Sequence, residues 1–309
     1  MLDTVTLTTP VNLSVSDLCD RGWTYHETRT PTDKRVKATL TTEEGPRLTF
    51  WGGLNWLALE TSLPKLIKQD NAALIQGWDE VLDALQVAHD LAEHVTSSRL
   101  AGTDDGWNVS RLDPVWAWPT DPLPYLAALR LTRLPRTHPV IYDTSVSWAT
   151  TRGHRIRGRC YDKTAEAGHN VELPLRLERQ VRPRREVCRV NGERIPRTFG
   201  ELTADHVVQV LTDTMQGLGL DRPIPTPLEA RRRLVECHGS RRGRNLYRAL
   251  RECHDFGDRW PSDLSDWSQR DIETGIRQAG ITCLSWEGEL PALEPPRLGF
   301  GGRVCPTNR

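Results

Sequence analysis

The feature that most constrains this chain is a short alternation of polar and apolar residues that keeps recurring, each run closed by a glycine or proline turn. Thr4-Val5-Thr6-Leu7-Thr8 alternates with β-branched residues and then meets Pro10. A period of two belongs to a strand with one buried face. Short runs with tight punctuation pair with their neighbours mainly in antiparallel order. Residues 23–28 and 35–41 repeat the pattern. Arg47 to Leu63 reads as a longer strand interrupted at Gly52-Gly53, with Gly45-Pro46 as the turn before it, so 35–63 is expected to be a hairpin.

Helical spacing appears between these runs. Leu74, Trp78, Val81, Leu82, Leu85, Ala88, Leu91, Ala92 and Val95 recur at three- and four-residue steps, which predicts a helix over 71–95 capped by Asp70 or Asn71. A second unit follows the polar loop at Ser97–Gly106. Asn108 to Trp118 is a strand, with Pro114 expected to put it at an edge or end it early. A short helix is expected over 122–132. Val140 to Thr150 and His154 to Lys163 form a hairpin across Thr151-Arg152-Gly153, Leu173 to Val181 is another strand, and Asp205 to Leu218 a helix.

Two sheet-and-helix units in succession predict an α+β protein with mainly antiparallel sheets. The expected organisation is a domain over 1–220, with sub-units of about 1–100 and 107–220. A proline-rich linker over 221–227 and a small helical domain over 228–285 come next, then an irregular tail over 286–309. The helices of that domain are expected at 228–238, 243–255 and 267–279.

Composition narrows the function. No apolar run is long enough to span a bilayer, and Met1-Leu2-Asp3-Thr4 carries no basic leader, so a cytoplasmic protein with no membrane partner is expected. Seven cysteines without a CxxC pair argue for reduced thiols, and Cys237-His238 with Cys253-His254 match no standard zinc spacing. Net charge is zero, but its distribution is uneven. Residues 1–128 hold 10 basic and 18 acidic groups, whereas 129–200 hold 16 and 7. A basic middle segment in a neutral chain points to a local polyanion site. The chain has neither a Walker-type phosphate loop nor a G-x-S-x-G elbow.

The most informative stretch lies in that basic segment: Arg155-Ile156-Arg157-Gly158-Arg159-Cys160-Tyr161-Asp162-Lys163-Thr164-Ala165-Glu166. On a strand, Arg155, Arg157, Arg159 and Tyr161 share one face, and Lys163 joins them if the strand continues. A phosphate could sit along such a row, its oxygens held by guanidinium groups. A tyrosine at the end of the row can attack phosphorus if its proton is lost and the phosphate is held in line. Lys163 would stabilise the phenolate or the charge developing on phosphorus.

Chemistry of this kind commonly uses a divalent cation. Asp113, Glu166 and Glu178 are the carboxylates that stand out, a set of oxygen ligands that would suit Mg²⁺ or Mn²⁺. Spacing alone favours salt bridges for these acids, because Arg111, Arg176 and Arg179 lie beside them. Eleven tryptophans against four phenylalanines is an unusual ratio; Trp51, Trp56, Trp107, Trp116, Trp118 and Trp148 fall in or beside strands, where core packing is the expected role.

Several segments occur in one order: Leu2-Asp3-Thr4-Val5-Thr6-Leu7; Ser62-Leu63-Pro64-Lys65-Leu66-Ile67 with Asp70-Asn71; Arg111-Leu112-Asp113; Tyr161-Asp162-Lys163 with Glu166; and Leu175-Arg176-Leu177-Glu178. Together they resemble the phage/plasmid replication initiator family typified by the filamentous-phage gene II protein. Asn245-Leu246-Tyr247 to Gly257 and Ser268 to Gly280 look like that family's helical C-terminal region, so the likeness runs from the start to about residue 285.

The resemblance implies a relaxase-like, rolling-circle initiator that nicks one strand at an origin, stays linked to the 5′ phosphate, leaves a 3′ hydroxyl and later rejoins the strand. It implies origin DNA, a host helicase and a host polymerase as partners. It maps the nucleophile to Tyr161, with Lys163 beside it, and the metal ligands to Asp113, Glu166 and Glu178. The His-hydrophobic-His motif common among such nickases is missing from this chain, and Tyr142 and Tyr125 remain alternative nucleophiles.

Candidate DNA contacts are Lys65, Arg111, Arg155, Arg157, Arg159, Arg176, Arg179, Arg244 and Arg248. Arg241 and Arg242 join them if the C-terminal helices read duplex DNA. The alternative from another class is a non-catalytic origin-binding protein, which would use the same arginines without Tyr161.

Overall fold

The computed structural model describes residues 1–30, 33–43, 45–69, 71–100, 106–130, 132, 134, 136–150, 155–183, 189–190, 193–255, 266–286 and 288–296. In chain order the strands are β1 (Leu2–Pro10), β2 (Thr24–Thr30), β3 (Asp33–Thr41), β4 (Arg47–Trp51), β5 (Trp56–Ser62), β6 (Asn108–Trp118), β7 (Thr137–Tyr142), β8 (Ser145–Thr150), β9 (Ile156–Asp162), β10 (Leu175–Arg179), β11 (Arg189–Val190) and β12 (Glu193–Arg194). The helices are α1 (Val15–Asp20), α2 (Leu63–Lys68), α3 (Trp78–Thr96), α4 (Pro122–Leu129), α5 (Lys163–Ala167), α6 (Ala204–Leu218), α7 (Pro227–His238), α8 (Ser240–Asp255) and α9 (Asp266–Gln278). This is the α+β class that the alternating runs predict, with antiparallel pairing in both units.

The chain divides into two compact units. The first comprises Met1–Trp116 and Arg179–Val210. Its strands lie in the order β2-β3-β4-β5-β1-β6. Helix α3 turns Val81, Ala84, Leu85, Ala88 and Ala92 inward, all fully or almost fully buried in one core with Leu7, Leu57, Leu59 and Trp107. Truncating a leucine in such a core costs about 2–5 kcal/mol. The helix begins at Trp78 behind Gly77, seven residues later than the spacing predicts. Leu74 and Ile75 are buried without being helical, the Ile75 carbonyl accepts from the Met1 amino group, and the cap position of the helix is Gly77 rather than Asn71. Asp70 lies outside the described residues.

Two further expectations change here. Arg47 to Leu63 is two strands, because Gly52 to Asn55 form a turn that lets Trp51 and Trp56 face each other. Pro114 does not end β6. It sits opposite Leu2 where the register slips past Asp3, and β6 runs on to Trp118.

The second unit comprises Ala117–Glu178 and Leu211–Pro296. Its strands lie in the order β10-β9-β8-β7. The single run Val140–Thr150 is split by Asp143-Thr144 into β7 and β8. Val146, Trp148 and Cys160 form the buried face, and the Trp148 indole donates to the Thr132 carbonyl at 2.7 Å. The segment expected as a linker is packed: Ile224 is buried and exchanges two backbone hydrogen bonds with Leu290, and Pro225 accepts from Ser285. Helices α7, α8 and α9 share a core of Ala230, Leu234, Leu246, Leu250, Ile276, Ile281 and Leu284. Gly243 brings α8 against α7; a Cβ there would lie 2.5 Å from the Leu234 carbonyl oxygen.

Candidate functional site

The second unit holds the nucleophile candidate. Gly158 and Cys160 of β9 face the core, so Arg159 and Tyr161 face the other way, opposite Ser147 and Ser145 of β8. The basic row is shorter than the sequence predicts. The register slips between Trp148–Gly158 and Ala149–Ile156, leaving Arg157 as an extra residue, and Arg155 precedes the strand.

The strand ends at Asp162, whose carboxylate caps α5 by accepting from the Ala165 amide at 3.1 Å. Lys163 is therefore the first residue of a helix rather than the next residue of the strand. It is still brought to the site, because Lys163 Nζ lies 2.7 Å from Glu166 Oε2 one turn along α5. Arg159 Nη1 lies 3.1 Å from the other oxygen, Glu166 Oε1. The Arg159 guanidinium carbon is 4.3 Å from the centre of the Tyr161 ring, a cation–π contact.

One carboxylate thus bridges two cations, and one of those cations covers the phenol. Burial raises the Glu166 carboxyl, and Lys163 and Arg159 together outweigh it, so the group is held below its ordinary value. Tyr161 and Lys163 are each only 2% exposed, whereas Arg159 and Glu166 are about a third exposed.

Burial pushes the Cys160 thiol up to about 12, so it stays protonated. Tyr125 is buried, its hydroxyl donating to the Pro291 carbonyl at 2.9 Å, and burial raises its phenol. Tyr142 is 60% exposed on β7, paired with Ser145, which pairs in turn with Tyr161. Three strands therefore carry Tyr142, Ser145 and Tyr161 in one cross-strand row.

The first unit holds Asp113. It is 1% exposed and takes two hydrogen bonds from Arg111, one at 2.9 Å to Oδ1 and a second to Oδ2. Arg111 reaches Glu60 at 3.0 Å as well. The rows Glu60–Thr6–Arg111 and Ser62–Thr4–Asp113 cross three adjacent strands, which is why these groups meet. Asp3, absent from the sequence candidates, accepts from Ser62 Oγ at 2.9 Å and presses on Asp113. Burial raises the Asp113 carboxyl to about 6, against the pull of Arg111.

Of the three expected metal ligands, Asp113 belongs to the first unit and Glu166 and Glu178 to the second. Among the described residues no group of three or more His, Cys, Asp or Glu side chains is gathered to hold a metal ion. Asp113 is committed to Arg111, and both Glu166 oxygens are committed to Arg159 and Lys163. Glu178 is half-buried on β10. These residues do not fit the expected Mg²⁺ or Mn²⁺ site, and the salt-bridge alternative describes Asp113 and Glu166.

The remaining DNA-contact candidates fall at separate places. Lys65 is exposed on α2, Arg176 is buried on β10, and Arg179 donates to the Gln180 carbonyl. On α8, Arg241, Arg244, Arg248 and Arg251 are all exposed. At about 100° per residue they fall within an arc of about 80°, opposite the buried Leu246 and Leu250. Arg248 pairs with Glu252 at 3.0 Å and Arg244 donates to the Ser240 carbonyl. His238, Gly239, Ser240, Arg241, Arg242 and Asn245 line an open cleft of about 480 Å³ at the α7–α8 turn.

No protein-family model and no curated protein matches the chain. Among solved structures, the chain is similar to a rolling circle replication initiator protein from Geobacillus stearothermophilus, at 10% identity and a TM-score of 0.30, over 90% of this chain and 96% of that one. A likeness of that size carries no functional argument. Among the described residues no helix is long and apolar enough to cross a membrane.

Proposed function

We propose that this protein initiates rolling-circle replication by nicking one strand of origin DNA through Tyr161 and later rejoining it. The observation that carries the reading is a phenol at the end of β9 with Arg159 over its ring and Lys163 held with that arginine on one carboxylate. Those cations are suited to hold the non-bridging oxygens of a phosphodiester and to stabilise charge developing on them.

In the proposed step the Tyr161 oxygen bonds to phosphorus and the bond from phosphorus to the 3′ oxygen breaks. The phenol proton passes through solvent to that 3′ oxygen. The products are a 3′ hydroxyl, from which host polymerase and helicase would continue, and a 5′-phosphotyrosyl ester. Neither water nor an oxidant is consumed, so the reverse reaction reseals the strand. No step is routed through a metal ion. Because Tyr161 is 2% exposed, attack requires a local opening that uncovers the ring, of the kind folded proteins undergo below their global unfolding energy. The arginine stripe of α8 would grip the duplex beside the nick.

The burial of Tyr161 favours one other reading, a non-catalytic origin-binding protein. Incubation with supercoiled origin DNA, followed by mass spectrometry of tryptic peptides, separates the two. A nickase yields open circles and an oligonucleotide adduct on Tyr161. A binding protein yields neither, and that result would refute the nickase reading.

A further inference from the structure

We infer that Glu166 is the resident counter-anion of a phosphodiester seat, occupying in the free protein the place that a DNA phosphate takes between Lys163 and Arg159. The inference rests on the reading of this unit as a DNA site, though not on the chemistry of Tyr161.

Three observations carry it. First, both Glu166 oxygens are used, one on each cation, at 2.7 and 3.1 Å. A carboxylate that bridges two cations presents the same donors that two phosphate oxygens would meet. Second, Lys163 is 2% exposed while Glu166 is 36% exposed. Stripping a buried ammonium of an anionic partner is costly; of the two groups in this pair the carboxylate has a route outward, and the lysine is the fixed part of the seat. Third, α5 does not depend on Glu166 to hold its shape. Asp162 caps its start through the Ala165 amide, and Gly168 closes its end in the left-handed region at φ 73°. The side chain can therefore swing away without unwinding the turn.

The exchange is balanced in charge. A phosphodiester carries one negative charge, as the carboxylate does, so the buried lysine keeps its partner throughout. Arg159 links the seat to the nucleophile, because the guanidinium that binds Glu166 also lies over the Tyr161 ring. A phosphate that replaces Glu166 arrives beside the phenol, and Arg159 moves with its new partner.

The test uses the full chain and a fluorescein-labelled single-stranded oligonucleotide, read by anisotropy. Glu166→Gln removes the competing charge and should tighten binding about five- to tenfold, the scale of one partly exposed charge-assisted pair. Glu166→Asp keeps an anion over Lys163 but is too short to reach both cations, and should tighten binding part-way. Inorganic pyrophosphate should raise the melting temperature of Glu166→Gln more than that of the wild type. Unchanged or weaker binding by both variants would overturn the seat. If the variants bind more tightly while wild-type protein forms no adduct with origin DNA, the seat stands and the nickase reading falls. If an adduct forms and neither variant tightens, the reverse holds.

Discussion

Replacing Asp113 with asparagine should flatten the pH dependence of stability between about pH 4 and pH 6. Burial pushes this carboxyl up from 3.8 to about 6; Arg111 pulls it down, Asp3 pushes it further up and Arg182 pulls it down. Below 3.8 the group is neutral in both the folded and the unfolded chain. Between the two values the unfolded chain releases its proton and the folded chain keeps it, so stability falls as pH rises and the loss is complete above about 6. The gap corresponds to about 3 kcal/mol, a large share of the net stability of a domain. Asparagine never ionises, keeps an acceptor for Arg111 and leaves the Arg111–Glu60 contact in place. Urea unfolding of both proteins, followed by tryptophan fluorescence across this range, should show the wild type losing about 3 kcal/mol relative to the variant. Parallel curves would refute the reasoning. Repeating the series with Mg²⁺ tests the expected ligand role: a cation bound at Asp113 would pull the carboxyl down and erase the wild-type loss, whereas an ion-paired Asp113 leaves the series unchanged.

Tyr161→Phe should abolish the adduct with origin DNA and leave oligonucleotide affinity within about twofold, while Tyr142→Phe retains the adduct; peptide mapping of the attached residue checks both. Arg244→Ala and Arg248→Ala should each weaken duplex binding similarly for all sequences and lower the slope of log K against log salt by about one, measured by titration at several salt concentrations. Gly243→Ala should destabilise the α7–α8 packing by about 1–3 kcal/mol, seen as a lower melting temperature, because its Cβ has only the Leu234 and Val235 backbone to enter.

What the sequence revealed about the fold and the site depended on how far apart the interacting residues lie in the chain. The extent of β6 was legible from the apolar and aromatic residues of Asn108–Trp118, although Pro114 signalled an early end that the strand does not take. The stripe of α3 was legible from its spacing, but its start was not, because Leu74 and Ile75 are buried whether or not they are helical. Asp143-Thr144 carried a turn signal that the continuing apolar pattern of Val140–Thr150 outweighed. At the site, Arg159, Tyr161, Lys163 and Glu166 lie within eight residues, and a strand followed by one helical turn brings them together. Asp113 could be paired with Arg111 from sequence, two residues away on the same strand face. Asp3, Glu60 and Ser62 could not be added, since they arrive through the register of β1 against β5 and β6. A single slipped residue at Arg157 broke the arginine row, and a bulge of that kind leaves no trace in composition.

The placement of charge around Tyr161 also bears on why a strand-cutting phenol would be kept covered. In the proposed nickase a phosphotyrosine linkage made at the wrong site would open a strand, so the nucleophile would be kept idle until a phosphate is seated. A cation lying over the ring and tied to a carboxylate meets that requirement in a way that burial alone would not. Burial alone opens at random, at a rate set by local stability. A tie made of Arg159, Glu166 and Lys163 is released by the anion that is to be attacked, so the proposed opening and the proposed substrate are linked through the same three side chains. Tightened oligonucleotide binding by Glu166→Gln, together with faster nitration of Tyr161 in that variant, would show that linkage directly. Tighter binding without any change in nitration would confine Glu166 to the seat and leave the covering of the ring to other contacts.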